Sequence, residues 1–528
     1  MNKPLLLSMA AIMVVGTNLN AQSVYERIQA MELQMKQMQQ ELERLKTQNS
    51  KTSDNDAEKN IALNDKEEES DEEESDEDEF DVIEAFEDIE EEISDIHKAT
   101  SGNHLKFGVD YRFAVENLNY KMADGSKAKN NALMTNRLWI NMDWAATHQL
   151  SFHGQLAYNK AFGTRSGWGN NNAGFETFDW ITNENAYDDT LRVKNAYFLY
   201  KNSTFLGTNV PWTFSVGRRP STNGHIINLR DDDHAASPQG HSINVEFDGL
   251  SSMFKLSNLT GIDGMYVKFC AGRGGTNAAP KFFSTTATGT VVPNAPYATH
   301  KGDLSNIDLV GLIFRAYSDG QYTFDTQFYY ANNLIDADIN SNNVMTGMKT
   351  VGAMYSGTAS FMVNGIGDGI NDFLDDTIFF TSGAMSKTDP HKDKSMLGAP
   401  VGESKTGYSY WVGTQFPSLV SEDGRWGVEY NHGTKYWRSM TYAEDTNIGS
   451  KVAARGDAYE VYFTEYLVED ILSMQIRYTY IDYDYTGSNG FFGDTTGTPM
   501  KISELTGAHA ATNVDKAQDI RFYLRYRY

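Results

Sequence analysis

From Leu105 to Tyr528 the dominant regularity is a period of two. Leu105, Phe107, Val109, Tyr111, Phe113 and Val115 alternate with Lys106, Asp110, Arg112 and Glu116. Successive side chains of a strand point to opposite faces, so one face of this segment is apolar and the other charged. The pattern returns at Leu138, Ile140, Met142 and Trp144 against Arg137, Asn141 and Asp143. It returns again at Leu472, Met474, Ile476 and Tyr478 against Ser473, Gln475, Arg477 and Thr479. After the first two dozen positions there is no run of about 18 apolar residues, which excludes a bundle of membrane helices. The chain is rich in Gly (44), Tyr (29) and Phe (28) but holds 11 Pro, a composition suited to many strands and turns.

The first hundred residues follow other rules. Lys3, the apolar stretch from Leu5 to Val15 and the small residues before Ala21 read as a signal peptide over residues 1–21. No Cys follows that cleavage point closely enough for a lipid anchor, and Cys270, being single, forms no internal disulfide. Over residues 22–49, Val24, Ile28, Met31, Met35, Met38, Leu42 and Leu45 recur at spacings of four and three. This heptad seam predicts an α-helical coiled-coil stalk, and its narrow apolar stripe needs partner helices, so a homo-oligomer is expected, with a trimer as the preferred state. Between Lys51 and Lys98 lie 23 acidic and 4 basic residues, so most of the net charge of −26 falls here. Residues 50–79 are expected to be a disordered acidic spacer, with divalent-cation or cell-wall contact as the sharper reading. Val82, Phe86, Ile89, Ile93 and Ile96 then predict a short amphipathic helix over 80–98.

Alternation alone does not separate a soluble sandwich from a membrane barrel, because both carry one apolar and one polar face. The final strand separates them. Ile520, Phe522, Leu524, Tyr526 and Tyr528 share one face, and Arg521, Arg525 and Arg527 share the other. With a signal peptide, Phe522, Leu524, Tyr526 and Tyr528 resemble the terminal signal that outer-membrane barrels present to the barrel assembly machinery. The expected fold is therefore an all-β transmembrane barrel over residues 104–528, lodged in outer-membrane lipid with its stalk in the periplasm.

Turn chemistry predicts its topology. Short connections fall near Ala146–Gln149, Gly261–Gly264, Asp319-Gly320, Pro417–Gly424 and Val468–Asp470. Strands are expected from about Leu105, Asn136, Leu150, Leu191, Trp212, His241, Gly264, Asn306, Gln321, Lys349, Leu374, Gly407, Arg425, Asp457, Ile471 and Asp519, which makes 16 antiparallel strands, with 18 as the alternative. Asp248-Gly249 would ordinarily suggest a hairpin. Reading it instead as a bulge inside one strand keeps every long connection at the same end of the barrel.

Two sets of lumen residues follow. Closing the barrel makes the first and last strands neighbours, so Lys106, Arg112, Arg137, Arg477, Arg521, Arg525 and Arg527 form a basic wall that would favour anions. Asp110, Glu116, Asp143 and Asp482 interleave with it and would offset part of that field. The third long connection, from Pro220 to Gly240, carries Arg230, Asp231, Asp232, Asp233 and His234 and follows Arg219. These are constriction candidates by analogy with the third loop of general porins. A metal site at Asp231, Asp233 and His234 lacks the converging oxygens a hard ion needs, so no metal or other cofactor is expected. Ser151 and His153 share a strand face, but the sequence marks no third residue to activate them, so no catalytic role is expected. The acidic balance excludes nucleic acid as a partner.

The run Val216-Gly217-Arg218-Arg219-Pro220-Ser221-Thr222-Asn223-Gly224, with the stalk, spacer and strands, resembles a porin-like outer-membrane family of the DUF3373 type, a domain of unknown function. The resemblance implies location and fold and supplies no substrate. The expected function is passive diffusion of small hydrophilic solutes or ions, with mild anion selectivity. The alternative is a structural anchor joining the membrane to the cell wall through the stalk.

Overall fold

A computed structural model of the protein describes residues 105–163, 190–219, 222–274, 283–285, 288–293, 296–298, 304–339, 345–367, 369–441, 444–487 and 498–528. The expected signal peptide, stalk, acidic spacer and amphipathic helix lie outside the described residues.

The alternating segments form one closed antiparallel barrel of 16 strands. They are β1 (Leu105–Met122), β2 (Lys127–Ala145), β3 (Leu150–Ala161), β4 (Arg192–Asn202), β5 (Trp212–Arg219), β6 (Phe247–Lys255), β7 (Tyr266–Gly274) and β8 (Ile307–Ser318). The circuit continues through β9 (Tyr322–Ile339), β10 (Met345–Asn364), β11 (Ile378–Pro390), β12 (Thr406–Pro417), β13 (Arg425–Gly433), β14 (Gly456–Val468), β15 (Leu472–Tyr483) and β16 (Val514–Arg527). β1 pairs with β16 from Asp110↔Arg527 onward, so the first and last strands close the cylinder. Tyr528 exchanges both backbone hydrogen bonds with Val109, at 2.7 and 2.9 Å.

The burial pattern is inverted relative to a water-soluble protein. Phe107, Val310 and Ile520 are 62%, 57% and 52% exposed, whereas Arg137, Arg477 and Arg521 are 2%, 1% and 1% exposed. Phe522, Leu524 and Tyr526 point outward with them. A surface this apolar has no place in bulk water, and closing the sheet leaves no unpaired edge. The aromatic and aliphatic face therefore lies outside, and the core sits in the lumen.

Two connections fill that lumen. Residues 222–246 fold inward and pack Ile243 and Val245, with Phe247 of β6, against Leu309, Tyr329, Met354 and Met440. Each such side chain removed from water contributes about 1.5–3 kcal/mol. Residues 434–441 and 444–455 fold inward beside them, burying Trp437, Ile448 and Val452 completely or nearly so. The two segments join through Asn244 N–H donating to the Met440 carbonyl at 2.8 Å and Met440 N–H donating to the Ser242 carbonyl at 2.9 Å. Gly407 permits this approach, since a Cβ there would lie 2.1 Å from the backbone of Tyr436 and Trp437.

Three expectations need correction. β2 begins at Lys127 rather than Asn136, because Lys127–Leu133 has both faces largely in solvent and so shows no alternation. β6 begins at Phe247, and His241–Glu246 are buried in the lumen instead of forming wall. Asp248-Gly249 lies inside that strand as expected, but the pairings Arg218↔Asp248 and Gly217↔Gly249 run without a register shift, so it is not a bulge.

Candidate functional site

The wall around the closure seam sets an electrostatic problem. Arg477 stands across from Arg521, Arg525 across from Arg112, and Arg112 across from Arg137. Like charges directly opposite on one sheet face repel, and burial removes the water that would screen them. Carboxylates from the wall and from both infolded segments resolve the conflict. Asp445 accepts from Arg112 Nη1 at 2.5 Å and from Arg521 Nη1 at 3.0 Å, and its carbonyl accepts from Arg477 Nη2 at 2.5 Å. Glu116 accepts from Arg521 Nη2 at 3.1 Å. Asp110 accepts from Arg137 Nη2 at 3.2 Å and also from Arg525. Burial alone would raise the Asp445 carboxyl, but Arg112, Arg521 and Arg477 outweigh it and hold the group well below the usual carboxylate range.

The acidic run of the third long connection completes the same network. Ile227–Asp231 form a short helical turn capped by Asp232 in the left-handed region, φ 51°, a conformation Asp tolerates better than most residues. This turn aims three acids in sequence at the wall. Arg230 Nη1 donates to Glu444 at 2.7 Å and its Nε to Asp231 at 3.1 Å. Arg525 donates to the Asp231 carbonyl and to Asp233 Oδ1, both at 2.6 Å. Arg527 Nη2 donates to Asp232 at 2.5 Å. The constriction candidates and the basic wall are thus one assembly. Lys106 and His234 are exposed and stand apart from it, and Arg219 lies elsewhere, over the Tyr197 ring.

Lys451 anchors the second infolded segment, donating to Glu429 at 2.5 Å and to Glu460. Glu429, Glu444, Asp445, Lys451 and Glu460 were not among the candidates. The available signal was a long connection carrying Trp437, Met440, Ile448 and Val452 among charged residues, an unusual load for a segment destined for water.

The run beginning at Val216 is the hinge that turns chain from wall into lumen. Gly217 has φ 135°, and a Cβ there would lie 2.3 Å from the Ala196 carbonyl oxygen, so the strand crosses its neighbour only as glycine. Thr222 accepts from Lys194 Nζ at 2.7 Å, and Lys194 also donates to Glu246 at 2.6 Å, tying the start of the segment to its end. Arg219 lies over the Tyr197 ring at 3.9 Å.

Ser151 and His153 have a third partner that the sequence alone did not mark. Asp143 sits directly across from His153. His153 bonds to Asp143 Oδ1 through Nδ1 at 2.6 Å and to Ser151 Oγ through Nε2 at 2.8 Å. The neighbouring backbone N–H groups belong to the β2–β3–β4 ladder and are committed there, so no backbone pair is left to hold an oxyanion. Among the described residues, no group of three His, Cys, Asp or Glu stands together to hold a metal ion.

The model of a family described as "Protein of unknown function (DUF3373)" matches residues 127–528. The chain belongs to the DUF3373 family. The match leaves the expected stalk and spacer outside it, while the hinge and both infolded segments of this DUF3373 barrel lie within. None of the curated proteins matches the chain. Among solved structures, the chain is similar to OmpT, an outer membrane protein of Vibrio cholerae in its trimer form, at 12% identity and a TM-score of 0.41, over 81% of this chain and 100% of that one. It is similar to an anion-selective porin from Comamonas acidovorans at 10% identity and a TM-score of 0.43, over 80% and 99%. It is also similar to OprB of Pseudomonas putida at 12% identity and a TM-score of 0.40, over 80% and 94%.

Proposed function

We propose that this DUF3373 protein is an outer-membrane channel of porin type that passes small hydrophilic solutes or ions through a lumen narrowed by residues 222–246, 434–441 and 444–455. The observation that carries this reading is the inverted burial, with an apolar outer face and buried arginines and carboxylates within. A closed barrel satisfies its backbone hydrogen bonds internally, as a lipid-embedded chain must. The paired arginines of the seam contribute little net field, because each has a carboxylate within 4 Å. A mild anion preference therefore rests on Arg219, which has no carboxylate partner at hydrogen-bond distance, rather than on the seam.

Planar-bilayer recording of the folded full-length protein tests the reading. Discrete conductance steps are expected, with reversal potentials displaced mildly toward the anion in a potassium chloride gradient. A barrel that inserts without conducting would overturn the channel and support the anchor reading, in which the packed lumen is a closed plug and the heptad seam of residues 22–49 links the membrane to the cell wall.

A further inference from the structure

Between the infolded third connection and the wall opposite the seam lies a partly open cavity. Its apolar lining includes Ile243, Phe247, Leu309, Ile313 and Tyr329, each at most 8% exposed. Two cations, Arg219 and Lys268, line the same space beside Cys270, and they stand close enough to act on each other and on the thiol. The Arg219 guanidinium is stacked on Tyr197, and its Nη1 is buried with no hydrogen-bond partner. Arg112, Arg230, Arg521, Arg525 and Arg527, by contrast, each donate to a carboxylate.

We infer that this cavity binds an amphipathic organic anion, a carboxylate carrying a short hydrocarbon body. Apolar walls favour burial of the hydrocarbon, and a carboxylate oxygen would satisfy the orphaned guanidinium N–H with a charge-assisted hydrogen bond. A hydrophilic anion gains nothing from the walls. A neutral or cationic amphiphile leaves Nη1 unsatisfied or adds a third positive charge. The inference deepens the channel reading and rests on it: the bound anion occupies the narrowed lumen and is the class of solute the channel selects.

The full chain folded in detergent is titrated calorimetrically with octanoate, acetate and octylammonium, and the same preparation is recorded in planar bilayers. Octanoate is expected to bind, with acetate and octylammonium at least tenfold weaker. Arg219→Gln is expected to weaken octanoate at least tenfold. Octanoate, but not acetate, is expected to slow maleimide modification of Cys270 in the wild type, a measurement that stands even if the variant does not fold. Equal affinity for octanoate and octylammonium, or Cys270 labelling unchanged by octanoate, would overturn the site. Conductance without octanoate binding would refute the site alone, whereas binding without conductance would uphold the site and refute the channel.

Discussion

The two sides of the lumen use the same residue type for different ends. Around the seam, arginines face one another across adjacent strands, and the infolded segments bring Asp231, Asp233 and Asp445 to separate them. Across the lumen, Arg219 lies over an aromatic ring with Nη1 unsatisfied and, unlike Arg521, whose Nε is also left over, has no carboxylate bonded to it among the described residues. A buried charge whose partner is built into the chain is structural, because removing either member strands the other. A buried donor left without a partner is where a ligand gains most. The difference lies in what the loops deliver, not in the wall.

The strongest way to break the comparison is to remove half of the seam. Deleting Phe522–Tyr528 takes away Arg525 and Arg527 together with nearly half of the β1 pairing. It leaves two open edges, which lipid does not tolerate. The truncated protein is expected not to form a heat-modifiable band on semi-native gels; a normal band would show that closure does not depend on this strand. Next in size is Asp445→Ala, which strands Arg112, leaves Arg521 with Glu116 alone and is expected to cost about 3–5 kcal/mol. Arg219→Gln, which strands nothing, is expected to cost only about 1 kcal/mol from the lost ring contact. Urea unfolding of the two variants reads the contrast directly, and equal losses would erase the distinction between the two sides.

The smallest effect is a matter of pH. His241 sits between Trp411 and Trp437 with Ser382 Oγ at 2.9 Å and Ser409 Oγ at 2.8 Å, and burial pushes its pKa down to about 3. Its folded value is below the unfolded value of about 6.5, so the unfolded chain takes up the proton first and stability falls as pH drops from about 6.5 toward 3. His225, pushed down to about 4 chiefly by burial, acts in the same direction. Asp445 is also depressed, but its contribution is kept until the pH falls below the ordinary carboxylate range. Between pH 6.5 and 4.5 His241 therefore lowers stability as the pH falls, and His241→Gln is expected to remove up to about 1.4 kcal/mol per pH unit of that slope. Unfolding midpoints with the same pH dependence in both proteins would contradict this.

Much of the barrel was legible because each lipid-facing stretch alternates strictly. The run from Leu138 to Trp144 announces its face, and Asp248-Gly249 could be placed inside a strand from the side on which long connections must fall. Lys127–Leu133 could not be placed, since a strand solvated on both faces has no pattern to read. The candidate site was half legible. The arginines declared themselves by their alternation, and the acidic triplet by its connection, but their mutual pairing depends on contacts across the lumen that no local rule encodes. Residues 434–455 were missed for the same reason, and Asp143 because cross-strand register decides it.

The contacts of the third connection with β16 join residues 292 and 295 positions apart, Asp233 to Arg525 and Asp232 to Arg527. In the order of synthesis the acids exist long before their countercharges, and such distant contacts are late to form. The interior is consequently furnished last. A chain still in transit exposes Asp232 and Asp233 to water, hydrated and mutually repelling, and their side chains draw inward only when the arginines of β16 arrive. The bore's final width is thus an outcome of completing the circumference, and a fault in the last strand reaches the passage through chronology as well as geometry.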